Sequence, residues 1–241
     1  MNTESSTDEL LQDIGRIWSE SYHGILSTHS LKYQGYPFGS LLPICRDTKG
    51  NLLLLISHLA QHTRNLENDP RCSLTLIEQG GGDVQQLTRL TCLAQAEAVN
   101  STAAAERYFR FYPDTRRYQK ELNFQFYRLA IKHFYYIGGF GSARWFDPSR
   151  IQLPIPFSTA DEAELLYQLN SHNHDLLRQL LDSNGMPTGT AIEAVGCDPS
   201  GLDVRFAQEL KRLQFKTSFG DKSAYLQHID TTNRDSASPS T

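Results

Sequence analysis

The chain has 241 residues, of which 39% are hydrophobic and 10% aromatic, with a formal net charge of −4. That is enough apolar material for a sizeable core in one large domain or two modest ones, which excludes wholesale disorder. The mild acidity, and the lack of any Lys/Arg run interleaved with aromatics, exclude a general nucleic-acid binder.

In chain order, residues 1–8 are polar and acidic, with neither a basic stretch nor an apolar run, so no signal peptide is expected. Residues 8–22 carry Leu10, Leu11, Ile14, Ile17 and Trp18 at helical spacing. A strand over 24–30 follows, and a second opens at Tyr36-Pro37-Phe38-Gly39-Ser40. The turn Asp47-Thr48-Lys49-Gly50 leads into a strand over 51–57. Its apolar run, Leu52 to Ile56, is far short of the ~20 residues that span a bilayer. A polar helix over 58–68 stops at Asp69-Pro70 before a strand over 72–78. After the glycines at 80–82, residues 86–99 read as a long strand with imperfect alternation. Ser101 caps a helix ending near Pro113, with Glu106 placed as in a capping box, and residues 114–122 are helix or turn. Residues 124–137, dense in aromatic and β-branched side chains, form a barrel-type strand that runs into the glycines of 138–141.

Leu153-Pro154-Ile155-Pro156 marks a domain boundary. Beyond it the spacing predicts a helix over 159–182, capped by Thr159 or Ser158 and ended by Asn184-Gly185. Strands over 190–197 and 202–206 are joined by the turn Asp198-Pro199-Ser200-Gly201. A short strand over 210–215 and a helix over 222–229 complete this part, and the Ser/Asp-rich tail 233–241 is expected to be disordered. Cys45, Cys72, Cys92 and Cys197 are scattered with no C-x-x-C spacing, so reduced thiols in a soluble cytoplasmic protein are expected. No Gly-rich phosphate loop, nucleophile elbow or His-Glu-x-x-His occurs.

Ser57, His62, Thr63 and Arg64 surround a predicted helix N-terminus, where unpaired N–H groups and the helix dipole favour an anion such as a phosphate. The plainer alternative is that they cap and solvate a surface helix. Arg89 is either a cation for a bound anionic group or an Arg on a solvated strand. Trp145 suits packing on a planar ring. His23, His29, His58 and His133 carry no partner pattern and read as ordinary strand or turn histidines.

His62-Thr63-Arg64-Asn65-Leu66, Arg89-Leu90-Thr91 and the Gly138–Ala143 turn, set in this strand order, resemble the flavin-binding split β-barrel of the pyridoxamine-phosphate-oxidase-like superfamily. Within it they resemble the haem-utilisation (HugZ-type) branch. The resemblance implies an α+β chain with a split barrel over 9–152, a small α+β domain over 158–232 and a tail over 233–241. It implies a homodimer whose cofactor groove lies between protomers and takes FMN or haem. Ser57, His62, Thr63 and Arg64 would hold the phosphate, Ser40 would also bind the cofactor, Arg89 would face the groove, and Trp145 would pack on the ring. True pyridoxamine-phosphate oxidases carry an Arg and a Lys near the places held here by Gly39 and Ile44, so that activity is rejected.

Gln168-Leu169-Asn170-Ser171-His172-Asn173-His174-Asp175 is similar to the family's helical "His-Met-Asn-x-Asp-His" signature, with the histidines displaced. It implies His172 or His174 as a haem-iron ligand, with His228 as a further alternative. On an unbroken helix, residues two apart face different ways and cannot both grip one ion. Three readings stay open: haem binding with oxidative degradation, an FMN-dependent oxidoreductase, and a cofactor-binding module without chemistry.

Overall fold

The structure, a computed structural model, describes residues 7–227 apart from 82, 139–142, 153, 154, 156, 173, 187, 189, 190 and 216. Apolar residues three and four apart make helix α1, Thr7–Glu20, bury Leu10, Ile14, Ile17 and Trp18 on one side. Trp18 meets Phe134 edge to face at 5.1 Å. Strands β1, His23–His29, and β2, Pro37–Pro43, form a fully paired antiparallel hairpin. A short strand β3, Cys45–Arg46, reaches the turn at Asp47, whose Oδ1 accepts the N–H groups of Lys49 and Asn51. Gly50 closes that turn at φ +78°, a conformation open to glycine at no steric cost. Strand β4, Leu52–Ser57, is buried at five successive positions, as a continuous apolar run requires.

Helix α2, Gln61–Asn68, then leads to β5, Arg71–Ile77, and β6, Arg89–Val99. Helix α3, Thr102–Phe111, is capped by the Ser101 hydroxyl, which accepts the Ala104 N–H. Glu106 does not close a capping box; it lies two positions too deep in the helix and pairs with Arg116 of helix α4, Arg116–Leu122. Strand β7, Phe124–Ile137, and β8, Ala143–Phe146, complete the sheet.

The strand order is β2-β1-β5-β6-β7-β4-β3, with β8 also on β7. The long β7 serves two partners along one edge: Phe124–Leu129 pair with β4 and Phe134–Ile137 with β8. The sheet curls antiparallel about a core that includes Leu26, Leu54, Leu74, Leu90 and Phe134. Between the two halves of β7 lies a bulge. Ala94 pairs with Ile131 but Leu93 pairs with His133, so Lys132 is an extra residue. From Tyr127 onward the buried positions accordingly change from odd (Tyr127, Leu129, Ile131) to even (Phe134, Tyr136).

The chain divides into two compact units, residues 1–153 and 154–241. In the second, helix α5, Thr159–Tyr167, opens with a capping box between Ser158 and Asp161. The continuous helix expected over 159–182 is interrupted. A π-helical turn, Gln168–His172, separates α5 from α6, His174–Ser183. The cause is Asn170, whose amide donates to Ala194 O at 2.9 Å and accepts from Ala194 N at 2.8 Å. That side chain acts as a strand partner, and the widened turn lets it reach. Strands β9, Ile192–Asp198, β10, Gly201–Phe206, and β11, Glu209–Gln214, form an antiparallel meander. Their core includes Leu165, Leu177, Leu181, Val204 and Tyr225. Arg212 is held between Asp198 and Asp203. Residues 222–227 are helical, while the tail and the last two residues of the expected helix lie outside the described residues. Among the described residues no helix is long and apolar enough to cross a membrane.

Candidate functional site

The residues marked for a cofactor in the sequence fall into two groups, on opposite sides of the sheet. The first surrounds α2. That helix begins at Gln61 rather than at residue 58, because Ser57 organises a turn ahead of it. The Ser57 hydroxyl accepts the Leu59 N–H at 3.2 Å, and its carbonyl accepts from Ala60 N and from the Thr63 hydroxyl at 2.6 Å. Thr63 is fully buried with its hydroxyl spent on that bond, which locks the helix start. Asn65, also fully buried, donates to Thr28 Oγ1 and accepts from Leu31 N and Gln61 Nε2, tying α2 to β1 and the loop that follows it. In the sequence Asn65 showed no role beyond its place in the motif.

His62 and Ser40 are brought together, Nδ1 to Oγ at 3.1 Å. The His62 Nε2 is buried with no hydrogen-bond partner among the described residues, and burial holds its imidazole below the ordinary pKa range. Arg64 is exposed on the outer side of the helix. Of the positions compared with the oxidases, Gly39 is exposed on β2 and Ile44 is 1% exposed in the core, so neither supplies a cation.

The second group lies on the open face of the sheet. Strand register aligns Leu41, Ile25, Thr75, Thr91, Tyr135 and Trp145 in one row across six strands. Arg89 stands one row over, paired with Ile77 on one side and Ile137 on the other. Trp145 is 60% exposed, and its ring lies 4.7 Å from that of Tyr135. The open face therefore joins a guanidinium to an aromatic platform, a pairing suited to a planar ligand with an anionic edge. Ser40 points away from this face, since neighbours along a strand alternate. In the sequence Tyr135 stands only among the strand aromatics compatible with a dimer seam, because its side depends on the bulge at Lys132, and the bulge depends on pairing with β6.

In the second unit, His174 opens α6 and is partly buried, beside an exposed Asp175. The His172 side chain and His228 lie outside the described residues, as do residues 139–142 of the glycine turn. Among the described residues no group of three or more His, Cys, Asp or Glu side chains is arranged to hold a metal ion. The thiols are buried, and burial pushes that of Cys72 up to about 12, so it is no nucleophile.

The chain is similar to the Arabidopsis thaliana protein called "Non-canonical heme oxygenase HOZ, chloroplastic", 30% identical over 139 residues. That match covers 55% of this chain and 41% of the relative, so the chain spans about two-fifths of it. Among solved structures, a protein of unknown function from Agrobacterium tumefaciens shares the fold at a TM-score of 0.79 and 23% identity, over 96% of this chain and 98% of that one. A heme binding protein from Mycobacterium smegmatis aligns at 0.54 and 21% identity, over 98% and 100%. The family model described as the CREG β-barrel matches residues 16–151, the stretch from α1 past β8. With that match covering more than half of its length, the chain belongs to the CREG β-barrel family, within the split-barrel superfamily of pyridoxamine-phosphate-oxidase-like proteins.

Proposed function

We propose that the barrel unit binds haem on its open sheet face, with Arg89 meeting the anionic edge of the macrocycle and Trp145 lying against its ring. The observation that carries this reading is the shared face of Arg89, Tyr135 and Trp145. The similarity to a relative named as a heme oxygenase supports haem as the ligand. Bound haem would supply iron for dioxygen chemistry, and this chain's residues would orient it and neutralise its charge. Haem titrated into the purified chain is expected to give a saturable Soret band. Arg89→Ala is expected to weaken binding about tenfold, since one charge-assisted hydrogen bond contributes ~1.5–3 kcal/mol before solvent screening. A titration without saturation sinks the reading. Oxidative opening of haem is the further part of the proposal, with dioxygen and an external electron donor as co-reactants. Decay of the Soret band in air with ascorbate is the expected result, and a stable band would restrict the protein to haem carriage.

The same open face supports pairing of two copies through its other end, where Ile25 is 40% and Leu41 70% exposed on adjacent strands. Leu41→Asp is expected to shift sedimentation from dimer to monomer.

A second reading has its own observation. The buried Nε2 of His62 beside Ser40 has no hydrogen-bond partner among the described residues, and in the tautomer that carries its proton there it would donate to a phosphate oxygen, which supports FMN phosphate at the α2 corner. Binding of FMN at micromolar concentration, lost in His62→Ala, is the expected result there. Absence of any flavin fluorescence quenching would remove it.

A further inference from the structure

We propose that the His133 imidazole is the axial iron ligand of haem on the open face, so that the barrel unit completes the site with its own residues. This rests on the haem reading above and goes beyond it by naming the ligand, which the sequence motif had placed in the second unit.

The argument begins with the bulge in β7. Because Lys132 is the extra residue, Lys132 and His133 are exposed in succession, and His133 joins the face that carries Tyr135 and Ile137. Bulges of this kind re-aim a side chain and are over-represented beside functional sites. The redirected imidazole stands 6.3 Å from the Trp145 ring in an edge arrangement, at 87° between the planes. Asp147 is engaged elsewhere, its Oδ1 accepting from the Ser149 N–H at 2.9 Å and the Ser149 hydroxyl at 2.5 Å, which leaves the imidazole free of it. His133 thus has an aromatic wall on one side.

Arg89 lies four residues along and one strand across from His133, since Leu93 pairs with His133. Strand geometry makes that roughly 14 Å between Cα atoms. A ligand with a central metal and carboxylates on one edge matches this separation, with the Arg89 side chain covering the remainder. Two other imidazoles reach the same face from the ends of β1, His23 opposite Pro43 and His29 opposite Pro37. Among the described residues neither of them stands beside a ring as His133 does beside Trp145, and His29 lies by the Asp69–Arg71 ion pair instead. Iron held inside a macrocycle needs one axial donor from the protein, which a single imidazole supplies.

The test uses the full chain reconstituted with ferric haem, read by the Soret and visible spectra and by electron paramagnetic resonance. The wild type is expected to show an imidazole-ligated signature. His133→Ala is expected to lose it and to bind at least tenfold more weakly, with free imidazole restoring the spectrum. His133→Tyr is expected to keep haem while exchanging the signature for that of a phenolate ligand. Both substitutions are at an exposed position, and circular dichroism checks the fold. An unchanged spectrum in both variants, with loss in the His172→Ala/His174→Ala double variant or in His23→Ala, overturns the assignment and leaves haem binding standing. A wild type that gives no Soret band at all overturns haem binding itself, and His133 with it.

Discussion

A Cβ placed on Gly138 would lie 2.4 Å from the Tyr136 hydroxyl oxygen and 2.8 Å from two of its ring carbons. The ring has little room to yield, being 1% exposed with its hydroxyl donating to Asp13 at 3.2 Å. Burial and that carboxylate push the tyrosine up to about 12, so the hydroxyl stays a donor at every physiological pH. Gly138→Ala is therefore expected to lose about 1–3 kcal/mol, as overpacked sites do, seen as a lower urea midpoint at unchanged slope. His62 gives a residue-scale prediction in pH. Its folded pKa is depressed by burial, so between that value and the ordinary unfolded value near 6.5 the unfolded chain binds more protons. Stability must fall as pH drops through the unfolded value, and the loss must level off below the folded one. His62→Gln removes that component. The urea midpoint of the wild type is expected to fall more steeply between pH 7.5 and 5.5 than that of the variant, and parallel profiles would refute this.

At the scale of elements, the bulge in β7 decides which residues share a face. Deleting Lys132 would restore plain alternation and force one half of the strand to turn over. Either Tyr127, Leu129 and Ile131 or Phe134 and Tyr136 would then face water, so loss of cooperative unfolding is expected by calorimetry. Such a deletion with an unchanged transition would mean that the register is not as described. The bounds of β7, residues 124–137, were readable from its own aromatic and β-branched content, as was Ser101 as a cap. The bulge was not, because it exists only in relation to β6. For the same reason the sequence offered Arg89 and Trp145 as separate candidates, left Tyr135 without a place in the cofactor site and read His133 as an ordinary histidine. At α2 the sequence placed the helix three residues early, since a hydroxyl at Ser57 reads equally as a cap or as a turn that delays the helix. The long helix of the second unit was misread because Asn170 answers to the backbone of Ala194, 24 residues away. What is local was visible in the sequence; what depends on a partner strand was not.

At the scale of the whole molecule, the two cores share no residue: one is drawn from Leu10 to Ile151, the other from Phe157 onward. Each closes its own polar network as well, Arg128 with Asp47 in the barrel and Arg212 with Asp198 and Asp203 in the smaller unit. Units that bury their own apolar surface and join through a Pro-containing segment have the means to fold separately. A fragment ending at residue 153 is therefore expected to unfold cooperatively, with a transition that matches one of two in the full chain. A fragment that stays unfolded in buffer would show that the barrel needs residues beyond 153. The same fragment separates the two sources of an iron ligand, because it keeps His133 and lacks His172, His174 and His228. If the barrel's own imidazole ligates the iron, the folded fragment reproduces the Soret spectrum of the full chain at similar affinity. If it folds and binds haem only weakly and without an imidazole signature, the ligand resides in the second unit, and the displaced histidine motif there regains its claim.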